Sequence, residues 1–194
     1  AEYNRIDCVT CRALVPKTGQ TTSYDGTRDG EDGDIKAGVE WPNPRFTVND
    51  GTVTDNLTGL IWLKDANCIA TNYTGFDSDG QVTWQQALDF VDGINDGTTY
   101  PLCGAGSTDW RLPNVRELHS LIHYGYRDLA VPDTSGTNKW SEDDPFNNVK
   151  SDYWSSSTYT DFTGNAWRVN MYGGSVYTYT KSNDYCVWPV RGGQ

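Results

Sequence analysis

With 194 residues, 36% of them hydrophobic, the chain suffices for one large domain with at most a short extra segment. Its formal net charge of −11 repels phosphate backbones, anionic lipids and sulfated polysaccharides, which argues against nucleic acid as a partner. No apolar run approaches the roughly 20 residues that span a bilayer, the longest being short stretches such as Leu60-Ile61-Trp62-Leu63.

Residues 1–45 read as an extended N-terminal arm, with Cys8-Val9-Thr10-Cys11, then a Gly/Asp/Thr-rich stretch, then Pro42 and Pro44. From Phe46 the patterning becomes regular, and residues 46–194 read as one domain. Asn49-Asp50-Gly51 is a turn between Phe46-Thr47-Val48 and Thr52-Val53-Thr54, which predicts a hairpin. A strand at Leu60–Leu63 follows. Thr83–Asn95 is predicted as a helix capped by Thr83, burying Trp84, Ala87, Leu88, Val91 and Ile94 at 3.6-residue spacing. Asn114–Tyr124 is predicted as a second helix, with Asn114 as cap, Glu117 at the capping-box position and Gly125 as stop. Strands return at Tyr153–Ser157, at 166–172 and 175–181 around a Gly173-Gly174 turn, and at Tyr185–Val190. Strands, two helices and more strands make an α+β domain. Trp62, Trp84, Leu88, Val91, Trp110, Leu118, Leu121, Trp154, Trp167 and Val190 are its expected core.

Five cysteines with a single Met fit an oxidising compartment. Cys8 and Cys11 are expected as a structural disulfide, because no βαβ context or following His supports redox or haem chemistry. Cys68 and Cys103 flank the first helix and can staple its two loops. Cys186 is then the odd one, either buried in a strand or paired with the arm or another subunit. The opening Ala1-Glu2-Tyr3 fits a mature secreted product, so the expected location is extracellular or at the cell surface.

The two histidines, His119 and His123, stand four residues apart but enclose no Glu base, and a structural role is expected. The acidic loop with Asp29, Glu31, Asp32 and Asp34 is the candidate calcium site, against solvated turn acids as the plain alternative; no other cofactor is expected. Asp77-Ser78-Asp79-Gly80 repeats part of a calcium loop without the closing Glu. Asn56-Leu57-Thr58 and Asn72-Tyr73-Thr74 match the N-glycosylation pattern.

Five motifs occur in order over residues 46–193. They are Asp55-Asn56-Leu57-Thr58-Gly59-Leu60-Ile61-Trp62, Asp109-Trp110-Arg111-Leu112-Pro113-Asn114, Tyr153-Trp154-Ser155-Ser156-Ser157, Ala166-Trp167 and Pro189-Val190-Arg191-Gly192-Gly193. Together they resemble the Lcl C-terminal-domain family, which is bacterial, often secreted, and similar in fold to C-type lectins. The resemblance implies a C-type-lectin-like fold, twisted antiparallel sheets flanked by two helices. The Arg111-Leu112-Pro113 and Val190-Arg191-Gly192-Gly193 segments are also similar to formylglycine-generating enzymes and to retroelement variable proteins. The oxidase activity does not carry over, because only Cys186 lies near the C-terminal sheet. The Glu-Pro-Asn and Gln-Pro-Asp signatures of calcium lectins are absent.

The candidate ligand-binding surface is rich in Tyr, Asn, Ser and Asp: Tyr159, Asp161, Asn170, Tyr172, Ser175, Tyr177, Tyr179, Asn183 and Tyr185. Such a composition resembles antibody paratopes, where Tyr supplies contact area at low entropy cost. The plain alternative is an ordinary Tyr-rich sheet. The expected function is a non-enzymatic lectin-like protein for adhesion or for building a surface assembly. The alternatives are a variable protein binding a protein or glycan through its C-terminal hairpin, and a formylglycine-generating-type enzyme. Tyr3, Ile6, Val9, Leu14 and Val15 make the arm a candidate strand for addition to a sheet edge of its own chain or of a neighbouring copy; addition to a neighbour would give a homo-polymer, and an arm folded back on its own domain is the plain alternative.

Overall fold

The fold comes from a computed structural model that describes residues 15–24, 26, 30–74, 76 and 79–192. Tyr3, Ile6, Cys8, Val9, Cys11, Leu14 and Asp29 lie outside the described residues, and so do the expectations placed on them. The described chain is α+β, with two antiparallel sheets and four short helices.

The first sheet begins where the sequence places a hairpin. Strands β1 (Phe46–Asn49) and β2 (Thr52–Asp55) pair around Asp50-Gly51, with Phe46 opposite Asp55 and Asn49 opposite Thr52. Gly51 takes φ +69°, a conformation that favours glycine. Strand β3 (Ile61–Leu63) pairs with β2, and β7 (Val190–Arg191) pairs with β3, giving the order β1-β2-β3-β7. The first and last strands of the domain therefore share one sheet. The second sheet, in the order β4-β5-β6, is built from β4 (Asp152–Thr158), β5 (Asn165–Asn170) and β6 (Val176–Thr180).

The last strand is shorter than expected. Pro189 has no N–H to give to a ladder, so Tyr185–Val190 does not run as one strand. Instead Tyr185 bridges Val82 and Cys186 bridges Tyr153, and beyond Pro189 the chain joins β3. One segment thus stitches both sheets together. At its centre Trp188 is fully buried, with ring centroids 4.7 Å from Phe146, 5.1 Å from Tyr153 and 5.5 Å from Trp62.

A short α1 (Asp32–Ile35) lies in the arm and α2 (Cys68–Asn72) follows β3; the sequence pattern announced neither. Helix α3 (Trp84–Asn95) starts as expected, with Thr83 and Gln86 closing a full capping box. Its buried face is rotated from the expected stripe: Phe90 and Gly93 are buried, whereas Trp84 and Leu88 are only half-buried. Helix α4 (Val115–His119) also has its capping box, between Asn114 and Glu117, but stops well short of Tyr124. The Ser120 hydroxyl donates to the Glu117 carbonyl at 2.7 Å, and Leu121 and Ile122 continue only as i→i+3 turns. Leu118, Leu121 and Ile122 are nonetheless buried as the stripe predicts.

The connection between β5 and β6 is also longer than the expected Gly173-Gly174 turn. It spans Met171–Ser175, because Met171 is fully buried and its N–H bonds to the Ser151 carbonyl. Of the expected core, Trp62, Val91, Trp110, Leu118, Leu121, Trp154 and Val190 are buried, and Trp167 is half-buried on the sheet.

Candidate functional site

The family motifs turn out to be fasteners. Asp55 is fully buried, and its carboxylate accepts from Arg45 Nε at 2.8 Å, Arg45 Nη2 at 2.9 Å, the Leu57 N–H at 3.0 Å and the Thr58 hydroxyl at 3.0 Å. The Asp-Asn-Leu-Thr-Gly segment is therefore a turn wrapped around one carboxylate. Arg111 grips Glu117 through two bonds of 2.6 Å and donates to the Gly192 carbonyl, while Arg191 donates to Asp109 at 3.0 Å. The second and fifth motifs thus clasp each other. Burial pushes Glu117 upward, but the bonds from Arg111 and from the Asn114 N–H outweigh it and hold the carboxyl below its usual range. In the third motif, Trp154 Nε1 donates to the Val82 carbonyl, and Ser155 to that of Trp167.

The motif residues form the frame; the candidate binding surface lies on the hairpin beside them. Arg168 stands opposite Tyr177 in the β5–β6 register, and period-2 alternation puts Asn170, Tyr177 and Tyr179 on its side of the sheet. Arg168 is 8% exposed and forms an ion pair with Asp152, which also accepts from Asn170 at 2.9 Å. Its guanidinium lies 4.5 Å from the ring centre of Tyr179, 4.6 Å from Tyr185 and 5.4 Å from Tyr177. Each contact of this kind contributes roughly 0.5–2 kcal/mol. The three rings are thus ordered from below by one cation, and Tyr185 also packs on Trp154. Tyr172 and Tyr185 share the lining of an adjoining open cleft of ≈ 370 Å³ with Lys150 and Asp152. Tyr172, Tyr177 and Tyr179 remain 51%, 50% and 38% exposed, large apolar surfaces turned to solvent.

The structure brings together Asn170, Tyr172, Tyr177, Tyr179 and Tyr185, with Ser175 exposed beside them. It does not bring Tyr159 and Asp161 to that face. Tyr159 packs against Trp167, which alternation places on the opposite side, and its hydroxyl donates to Asp161 at 3.1 Å. Asn183 belongs to the turn after β6, where it accepts from Thr180. Arg168, which organises the surface, was missed. Its signal was its place in the same alternation, opposite a tyrosine across the hairpin.

The remaining sequence-marked residues are accounted for in turn. Cys68 and Cys103 form a disulfide, with Cα atoms 6.0 Å apart. Cys186 is buried and free, and burial pushes its thiol up to about 12. His119 Nε2 meets the Gly174 carbonyl and the Tyr124 hydroxyl, whereas His123 lies beyond the helix end, against the arm. Glu31 accepts from the Tyr24 N–H and Asp32 from the Thr18 hydroxyl, and Asp34 is exposed. Among the described residues no three His, Cys, Asp or Glu side chains converge as a metal-holding group. The Asn56 amide donates to Pro44 and Thr47, and that of Asn72 to Cys68. No described helix is long and apolar enough to cross a membrane.

Compared with known families, residues 51–191 match the Lcl C-terminal domain. Among curated proteins, none matches the chain.

Proposed function

The chain belongs to the Lcl C-terminal domain family, and from that premise we propose that it is a non-enzymatic, lectin-like protein of the cell surface or extracellular space. Its role is adhesion or the building of a surface assembly, and it engages a protein, a glycan or a second copy through the C-terminal hairpin. One observation carries this reading. Tyr172, Tyr177 and Tyr179 stand exposed on one hairpin, and the buried Arg168 orders two of them from beneath. Rigid tyrosines lose little entropy on binding, and aromatic anchors dominate interface energetics. The non-enzymatic reading is supported by the state of the nucleophile and base candidates. Cys186 is buried with its thiol held protonated, and His119 is engaged by Gly174 and Tyr124.

The test is the variant Tyr172→Ala/Tyr177→Ala/Tyr179→Ala in adhesion of protein-coated beads to glycan- and protein-coated surfaces, with light scattering for self-association. Loss of an aromatic anchor weakens contact by about 2 kcal/mol or more, while the melting temperature stays near that of the parent. A variant that adheres and associates like the parent removes the face from the function. One that unfolds shows the tyrosines to be structural.

A further inference from the structure

A second cavity lies away from the hairpin, between the arm, which precedes the segment that matches the family, and residues 123–137 inside that segment. The described residues of the arm fold back on the domain. Lys17 and Val39 exchange backbone bonds with one another's neighbourhood, Trp41 Nε1 donates to the Lys17 carbonyl, and the Tyr124 N–H donates to that of Thr18. Between this arm and the loop at 133–138 is a cleft of ≈ 290 Å³. That is the lower end of small-molecule sites, which run from about 300 to 1,000 Å³, and so one small ring.

The walls are fixed before any ligand arrives. The Asp133 carboxylate accepts from the Ser135 hydroxyl, from the N–H groups of Gly136, Thr137 and Asn138, and from the Asn138 amide. This holds the Ser135 and Thr137 hydroxyls 2.6 Å apart at the cleft. Tyr126 is pinned by its hydroxyl bond to the Thr137 carbonyl at 2.6 Å. Its ring stacks on His123 at 4.2 Å, and Trp41 meets the same imidazole edge-on at 5.0 Å.

His123 is 5% exposed. Its Nδ1 accepts the Gly125 N–H at 3.1 Å, so in the neutral ring the proton sits on Nε2. That N–H has no hydrogen-bond partner among the described residues, although the ring lines the cleft. A donor without a protein partner at the wall of a cleft is open to an acceptor that enters it. Gly19 lets the arm pack against this ring: a Cβ there would stand 2.6 Å from Nε2 and 2.7 Å from both Cδ2 and Cε1, and φ +88° excludes most other residues.

We infer that this cleft binds a single neutral sugar ring, with Trp41 and Tyr126 offering apolar surface to its C–H face and His123 Nε2, Ser135 and Thr137 meeting its hydroxyls. The charges select against the alternatives. Lys17 and Lys36 at the cleft, and Arg45 stacked 4.2 Å from the Trp41 ring centre, repel a quaternary ammonium. Glu40 beside Lys17 and Asp133 under the loop oppose an anion.

The test uses the full chain, labelled with ¹⁵N and titrated with the methyl glycosides of glucose, galactose, mannose and N-acetylglucosamine. Choline chloride and sodium acetate serve as charged probes. At least one glycoside should shift the Gly19, Gly125 and Gly136 amides saturably at millimolar concentration. His123→Phe, which keeps the ring but not the donor, and Thr137→Val at the exposed rim should each weaken that glycoside by about tenfold. If His123→Phe does not fold, Thr137→Val alone decides. The inference is overturned if no glycoside shifts these amides, if choline or acetate saturates them instead, or if the folded variants bind like the parent. Glycoside shifts confined to the hairpin around Tyr177 and Tyr179 also overturn it, while supporting the hairpin as the binding face.

Discussion

Arg45 and Asp55 show how much one pair of side chains can hold. Both are fully buried, and besides its partner Arg45 also reaches the Ser120 carbonyl and stacks between Trp41 and Phe46. Removing one member leaves the other charge buried without its partner. Asp55→Ala should therefore cost about 3–5 kcal/mol in urea unfolding. A loss below that of an ordinary surface substitution would mean that the turn at 55–59 is held otherwise. His123 sets a pH dependence. Burial lowers its pKa from 6.5 to about 4, assisted by the positive charge of Arg45. In the interval between those values the unfolded chain binds the proton and the folded one does not, so stability falls as pH drops from about 6.5 to about 4. The effect is about 2 kcal/mol, less than the full shift implies because solvent at the cleft mouth screens the ring. The difference between the parent and His123→Phe in unfolding free energy across that range measures it; a pH-independent difference refutes it. Cys186 should react with thiol reagents only after denaturation, as its burial and raised pKa require.

Among the elements, those with strong local codes were legible. The hairpin at Asp50-Gly51 and the Thr83 and Asn114 caps follow from short-range chemistry and stand where the residues put them, and the Cys68–Cys103 staple joins the two cysteines that flank helix α3. What the sequence hid depended on distant partners. Helix α4 stops because Ser120 bonds back to Glu117, and the last strand breaks at Pro189 while its flanks pair with two different sheets. Trp188, at the core's centre, sits in that broken segment and carries no periodicity to mark it. The hairpin tyrosines were legible as a surface because alternation is local. Arg168 beneath them was overlooked, and Tyr159 fell on the far face, because register across the hairpin decides both. The disulfide closes a separation of 35 residues. Chain-entropy arguments give it about 3–4 kcal/mol, so Cys68→Ala/Cys103→Ala should lower the unfolding free energy by that amount at most. No change on reduction of the parent would show that the staple is idle.

For the whole molecule, charge and shape pull in opposite directions. Each copy carries −11, which opposes contact between copies, while the tyrosine hairpin offers them apolar surface. Association through the hairpin should therefore strengthen with added salt, as the screening length shrinks toward about 8 Å at physiological ionic strength. Light scattering across a salt series reads this directly. A monomer at every salt concentration removes the assembly role and leaves adhesion to a foreign ligand. The described residues of the arm make contacts with their own domain, and the expected strand addition falls mostly on residues 1–14, outside the described chain.

The division of labour between motif and hairpin has an evolutionary corollary. Asp55, Arg111, Glu117 and Arg191 are committed to bonds inside the frame, and a change at any of them unfastens it. The side chains of Tyr172, Ser175 and Tyr177 are exposed, with Tyr177 on the flank of Arg168, while Tyr172 and Ser175 are tied to the frame through their backbones. Random libraries at these three positions should yield mostly folded proteins. Selection on such libraries can then vary the exposed face without renegotiating how the molecule stands.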